Sequence, residues 1–99
     1  MISPDDLGAE LRRIISAAIE NEFDIKVSGI KVVPVEESQG DQILEIRLTL
    51  TVSRSRWKSD TMYNLINAAS RAVRESGEER FPYFQTRVLD KQARVMGFA

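Results

Sequence analysis

Ninety-nine residues with 42% hydrophobic and 29% charged content suit a globular chain with one modest core that needs no metal or disulfide. The absence of cysteine removes thiol nucleophiles, thiolate metal sites and disulfides, and the absence of histidine removes the commonest general base, the Ser-His-Asp triad and imidazole ligation. Net charge is −1 but uneven, with five basic and ten acidic groups in residues 1–50 against nine basic and five acidic in residues 51–99; a dedicated nucleic-acid protein is usually more basic overall.

The chain opens Met1-Ile2-Ser3-Pro4-Asp5-Asp6, a strong helix start. Serine caps free amides, proline suits the first helical position, and the aspartates favour the positive end of the helix dipole. Ile2 and Leu7 are spaced as a hydrophobic staple. Leu7, Leu11, Ile14, Ile15, Ala18 and Ile19 form one helical stripe, and the helix is expected to end near Asn21–Phe23. This acidic start lacks the basic and apolar regions of a signal peptide, and no apolar run approaches the roughly 18 residues of a membrane span. A cytoplasmic protein without membrane contact is the expectation.

Residues 24–35 read as a first strand whose apolar phase changes at Ser28-Gly29, from Ile25 and Val27 to Ile30 and Val32. A bulge there keeps one apolar face inward. Pro34 cannot donate to a ladder, so it marks an edge or an end. Residues 36–41, EESQGD, read as a solvated hairpin loop, and their acids match no EF-hand spacing.

Residues 44–54, LEIRLTLTVSR, hold the clearest signal in the chain. Leu44, Ile46, Leu48, Leu50 and Val52 occupy every second position, while Glu45, Arg47, Thr49, Thr51 and Ser53 fill the gaps. Strict alternation marks a strand with one buried and one wet face. Arg54 and Arg56 would enter the core if the phase continued, so the strand must leave it near Ser53.

A second helix follows, capped by Ser59 or Asp60 and lined by Met62, Leu65, Ile66, Ala69, Ala72 and Val73. Ser76-Gly77 closes it, glycine being suited to the left-handed position past a helix end. Phe84, Thr86 and Val88 alternate with Gln85, Arg87 and Leu89 in a third strand. The aromatic group Phe81, Tyr83 and Phe84 is assigned to core and strand packing rather than to base stacking. The tail, residues 91–99, either forms a short extra strand, docks on the domain or meets another chain.

The fold expected is a single α+β domain, a two-layer sandwich in α-β-β-α-β order. Two helices cover one face of a sheet of three strands, or of four if the tail joins it. The first two strands pair antiparallel; the third lies beside either the first or the second.

With no cysteine, no histidine and no glycine-rich phosphate loop, neither a cofactor nor a resident metal is expected, and an enzyme is not the reading. The leading function is a non-enzymatic protein-binding or assembly domain, associating as a homodimer. Glu45, Arg47, Thr49 and Thr51 on the open face, with Val95, Met96 and Phe98 in the tail, are the expected self-association residues. The rival is a nucleic-acid-binding domain built on Arg54, Arg56, Trp57 and Lys58 beside the second helix, with Arg71 and Arg74 on that helix. The element order, with Val27-Ser-Gly-Ile-Lys31, Ala69-Ser-Arg71 and residues 81–90, FPYFQTRVLD, resembles the type II KH arrangement of the ribosome-binding factor A family. In this chain Arg71 stands where that family has the glycine of its kinked helix pair, and Gly77-Glu-Glu-Arg80 is acidic in place of a GxxG loop. The resemblance implies a fold of that kind and does not by itself imply a function.

Overall fold

The structure, a computed structural model, describes residues 4–23, 25–36, 40, 42–55, 57, 58 and 60–98, with backbone alone for 4–7, 97 and 98. Helix α1 spans Pro4–Phe23, strands β1 and β2 span Lys26–Glu36 and Gln42–Thr51, and helix α2 spans Thr61–Glu75. Strands β3 and β4 span Phe81–Leu89 and Val95–Phe98. The expected Ser3 cap and Ile2 staple, residues 37–39 and 41 of the loop, and Ser59 and Arg56 lie outside the described residues.

The four strands form one mixed sheet in the order β1-β2-β3-β4. β1 runs antiparallel to β2, β2 parallel to β3, and β3 antiparallel to β4. The third strand therefore lies beside the second, and the tail supplies a fourth strand. A parallel neighbour requires a crossover, and α2 provides it. Both helices contact each other, with α1 over β1 and α2 against β3.

The alternation is realised in full through β2 and just past its end: Leu44, Ile46, Leu48, Leu50 and Val52 are buried and their alternates are not. They meet Leu11, Ile15 and Ile19 from α1, then Leu65, Ala69 and Val73 from α2. Each fully buried leucine or isoleucine side chain contributes about 1.5–3 kcal/mol. Ala68 and Ala69 are also buried, and their small side chains let α2 lie close to its neighbours.

The irregularities have local causes. Register shifts between Val27 and Gly29, leaving Ser28 as the extra residue of a bulge. Its hydroxyl donates to the Thr49 carbonyl (3.1 Å) and accepts from the Thr51 hydroxyl (3.0 Å), which ties the bulge to β2. Pro34 sits on β1, an edge strand, as its missing donor requires. Asp60 occupies the N-cap of α2, but at φ −83° and ψ −12° it makes no side-chain cap bond. Capping needs an extended backbone at that position, so Asp60 does not cap in the expected way. At the other end, Gly77 takes φ 92° and its N–H donates to the Arg74 carbonyl (3.1 Å).

Contrary to the expectation from sequence, the aromatic group is not wholly a packing cluster. Phe84 packs against the core, but Phe81 and Tyr83 are 67% and 51% exposed. Alternation along β3 sends them to the face opposite Phe84's neighbours Thr86 and Val88. In the tail, Met96 packs against the core while Val95 remains exposed. No helix among the described residues is long and apolar enough to cross a membrane.

Candidate functional site

Two regions gather chemistry-bearing residues. The first is the turn after β2 that carries the basic and aromatic residues. The chain bends at Arg54-Ser55, and the Trp57 N–H donates to the Ser53 carbonyl (3.2 Å). That turn brings the half-buried Trp57 against the core.

Arg54 turns away toward Asp90, with Nη2 3.3 Å from Oδ2. Asp90 is 3% exposed and fully employed. Its Oδ1 accepts the N–H groups of Gln92 and Arg94 (both 2.9 Å), and its Oδ2 also accepts from Arg94 Nε (2.9 Å). These bonds, the Arg94 backbone N–H foremost, hold the Asp90 carboxyl below its ordinary pKa despite burial. Asp90 thus pins the β3–β4 turn, where Ala93 takes the left-handed φ of 62°. Arg54 belongs to this structural cluster.

Trp57 and Lys58 line a cleft of about 900 Å³ among the end of α1, the start of β1 and the entry to α2. Lys26 and Lys91 line it as well, with the hydroxyl-bearing residues Thr51, Ser53, Ser55 and Thr61 and, among the described residues, one acid, Glu22. Arg71 and Arg74 are exposed on the distal half of α2. At 1.5 Å per residue they stand about 15–20 Å along the helix from Thr61. The basic set expected from sequence therefore divides: Trp57 and Lys58 meet at the cleft, Arg54 is tied to Asp90, and Arg71 and Arg74 stand apart. Lys26 and Lys91 carried no signal in sequence, because residues this far apart meet only in the folded chain.

The second region is the open face of the sheet. Register partners share a face, so Val35, Ile43 and Phe81 form one row and Val33, Glu45 and Tyr83 the next. Lys31, Arg47 and Gln85 follow, then Gly29, Thr49 and Arg87. The face is apolar and aromatic toward one end and basic in the middle, where Glu45 Oε1 pairs with Arg47 Nε at 2.6 Å. Glu78 and Arg80 support the apolar end. Arg80 donates through its N–H (3.0 Å), Nε (2.7 Å) and Nη2 (3.1 Å) to the Glu78 carboxylate and fixes the entry to β3. The Arg80 side chain, through these bonds, lowers the Glu78 pKa.

Of the residues expected to self-associate, Glu45, Arg47 and Thr49 do share the open face, and Val95 is exposed on β4. Met96 is on the core side. The side chain of Phe98 lies outside the described groups. No cluster of three or more His, Cys, Asp or Glu occurs among the described residues.

In α2 the helix runs unbroken to Glu75, with five residues before β3, so the described chain has no second half of a kinked helix pair. Comparison with protein-family models, curated proteins and solved structures returned no match for the chain.

Proposed function

We propose that this chain is a small non-enzymatic protein-binding domain that assembles through the open face of its sheet, with a second copy of itself as partner. The observation that supports this reading is the exposure of Phe81 and Tyr83 in rows with Val33, Val35 and Ile43, on the face away from both helices. Aromatic residues and arginine are the types enriched where proteins meet, and a contiguous apolar patch marks such a surface. The lack of histidine and cysteine, which leaves few groups for acid–base or nucleophilic work, favours binding over catalysis.

Charge restricts how two copies would meet. Lys31, Arg47 and Arg87 occupy the middle of the face, so complete face-to-face overlap would oppose cations. A twofold contact offset toward the Val35–Ile43–Phe81 end keeps them apart and buries the apolar rows. Light scattering on a size-exclusion column tests the reading. At high micromolar concentration the expected mass is twice the 11.2 kDa of the chain. The Phe81→Glu variant is expected to elute as a monomer with an unchanged circular dichroism spectrum. A monomer mass for the native chain at that concentration would remove the proposal.

A further inference from the structure

The cleft beside Trp57 lies about 30 Å along β1 from the apolar rows, since Lys26 and Val35 stand at opposite ends of that strand. It is therefore independent of the assembly surface. Lys26, Lys58 and Lys91 reach it from the start of β1, the entry to α2 and the β3–β4 turn. None of the three makes an ion pair with another described residue, whereas Arg47, Arg54, Arg80 and Arg94 all do. Those four arginines are thus engaged within the fold, and these lysines are left facing one cleft whose wall carries, among the described residues, a single acid, Glu22. Like charges gathered around a concave surface raise its positive potential and draw anions to it. The same wall carries Trp57, half-buried against the core and so held in place, and the side chains of Ser53 and Ser55. A volume of about 900 Å³ is in the range of small-molecule sites.

We propose that this cleft binds a nucleotide, its phosphate among Lys26, Lys58 and Lys91 and its base against Trp57. A bare anion would use the lysines and leave the aromatic wall unused; a nucleotide uses both. The ligand has two possible sources with the same chemistry, a free mononucleotide or one unit of a single strand of nucleic acid, and titration separates them. Trp57 is the only tryptophan, so its fluorescence reports on the cleft alone.

The full chain is titrated with inorganic phosphate, with adenosine and uridine monophosphates, and with a short single-stranded RNA, each followed by fluorescence and calorimetry. Saturable binding with Trp57 quenching is expected for a mononucleotide, for the RNA, or for both, and inorganic phosphate is expected to bind at least about fivefold more weakly, since stacking on an aromatic ring strengthens binding by that factor or more. Binding by the mononucleotides assigns the site to free nucleotides, and binding by the RNA alone assigns it to a strand. Either affinity is expected to fall as salt rises from about 50 to 200 mM, most steeply for the RNA. Lys58→Gln and Lys91→Gln are each expected to weaken binding several-fold, while Arg71→Gln leaves it unchanged. Phe81→Glu is expected to abolish self-association yet retain the quenching, so failure of the assembly reading and failure of this one are distinguishable. Equal affinity for phosphate and nucleotide would overturn the proposal, as would the absence of binding by calorimetry at low salt. Binding indifferent to both lysine substitutions would overturn it too.

Discussion

The two faces of the sheet are built by the same strands and differ in what lies over them. On the covered face, Leu44, Ile46, Leu48 and Leu50 are at most 2% exposed beneath α1 and α2. On the other, Phe81 and Tyr83 stand in solvent one register step from Ile43 and Glu45. Phe81 and Phe84 are three residues apart on one strand, so the pleat alone puts them on opposite faces. The comparison separates two meanings of an apolar strand residue. On the covered face it contributes to folding, and on the open face it is available for association.

The largest effect should come from the covered face. Leu48→Ala removes a buried side chain at the centre of the core and is expected to cost about 2–5 kcal/mol in urea unfolding. A loss below about 1 kcal/mol would mean that the helices do not hold this face. The paired phenylalanines sharpen the contrast. Phe84→Ala is expected to cost about 2–3 kcal/mol because the ring packs on the core, and Phe81→Ala no more than about 0.5 kcal/mol in the monomer. Equal costs would erase the distinction between the faces.

A smaller effect, of opposite sign, is expected at Thr86. Its Oγ1 is buried on the covered face with no hydrogen-bond partner among the described residues, a hydroxyl desolvated without return. Thr86→Val keeps the shape and removes that cost, so the urea midpoint should rise by the equivalent of about 1 kcal/mol. A destabilised variant would show that the hydroxyl is satisfied in solution.

Acid should act most locally of all. The Asp90 pKa is depressed in the fold, so its contribution is complete above its ordinary value of 3.8 and is lost as pH falls through the lower folded value. Hydrogen exchange of residues 95–98, followed from about pH 5 to pH 2, should show β4 losing protection before β2. Asp90→Asn should flatten that difference, because the titrating group at the β3–β4 turn is gone. Simultaneous loss in both strands of the native chain would detach Asp90 from the stability of this edge.

Much of the covered face was readable because its signals are short-range. Alternation from Leu44 to Val52, the phase change at Ser28 and the helix stop at Gly77 each need only a few neighbouring residues, and each corresponds to a feature of the fold. The parallel placement of β3 beside β2 was not readable, since period two reveals a strand and not its neighbour. The exposure of Phe81 and Tyr83 was missed for a related reason. Alternation reports which residues share a face, but whether anything covers that face depends on where both helices pack. The cleft shows the same limit. Trp57 and Lys58 are adjacent in sequence and visible as a motif, whereas Arg54 is withdrawn by Asp90, 36 residues away, and Lys26 and Lys91 arrive only on folding.

The two tyrosines permit the most direct measurement of the open face. Tyr83 lies on it, and Tyr63 is 70% exposed on α2, which makes it an internal control. Hydroxyl-radical footprinting read by mass spectrometry, at low and high micromolar protein, compares their reactivity in one sample. If a second copy covers the apolar rows, labelling of Tyr83 and Phe81 falls as concentration rises while Tyr63 stays constant. If Tyr83 and Tyr63 remain equally reactive across the range, the open face is not where this chain assembles.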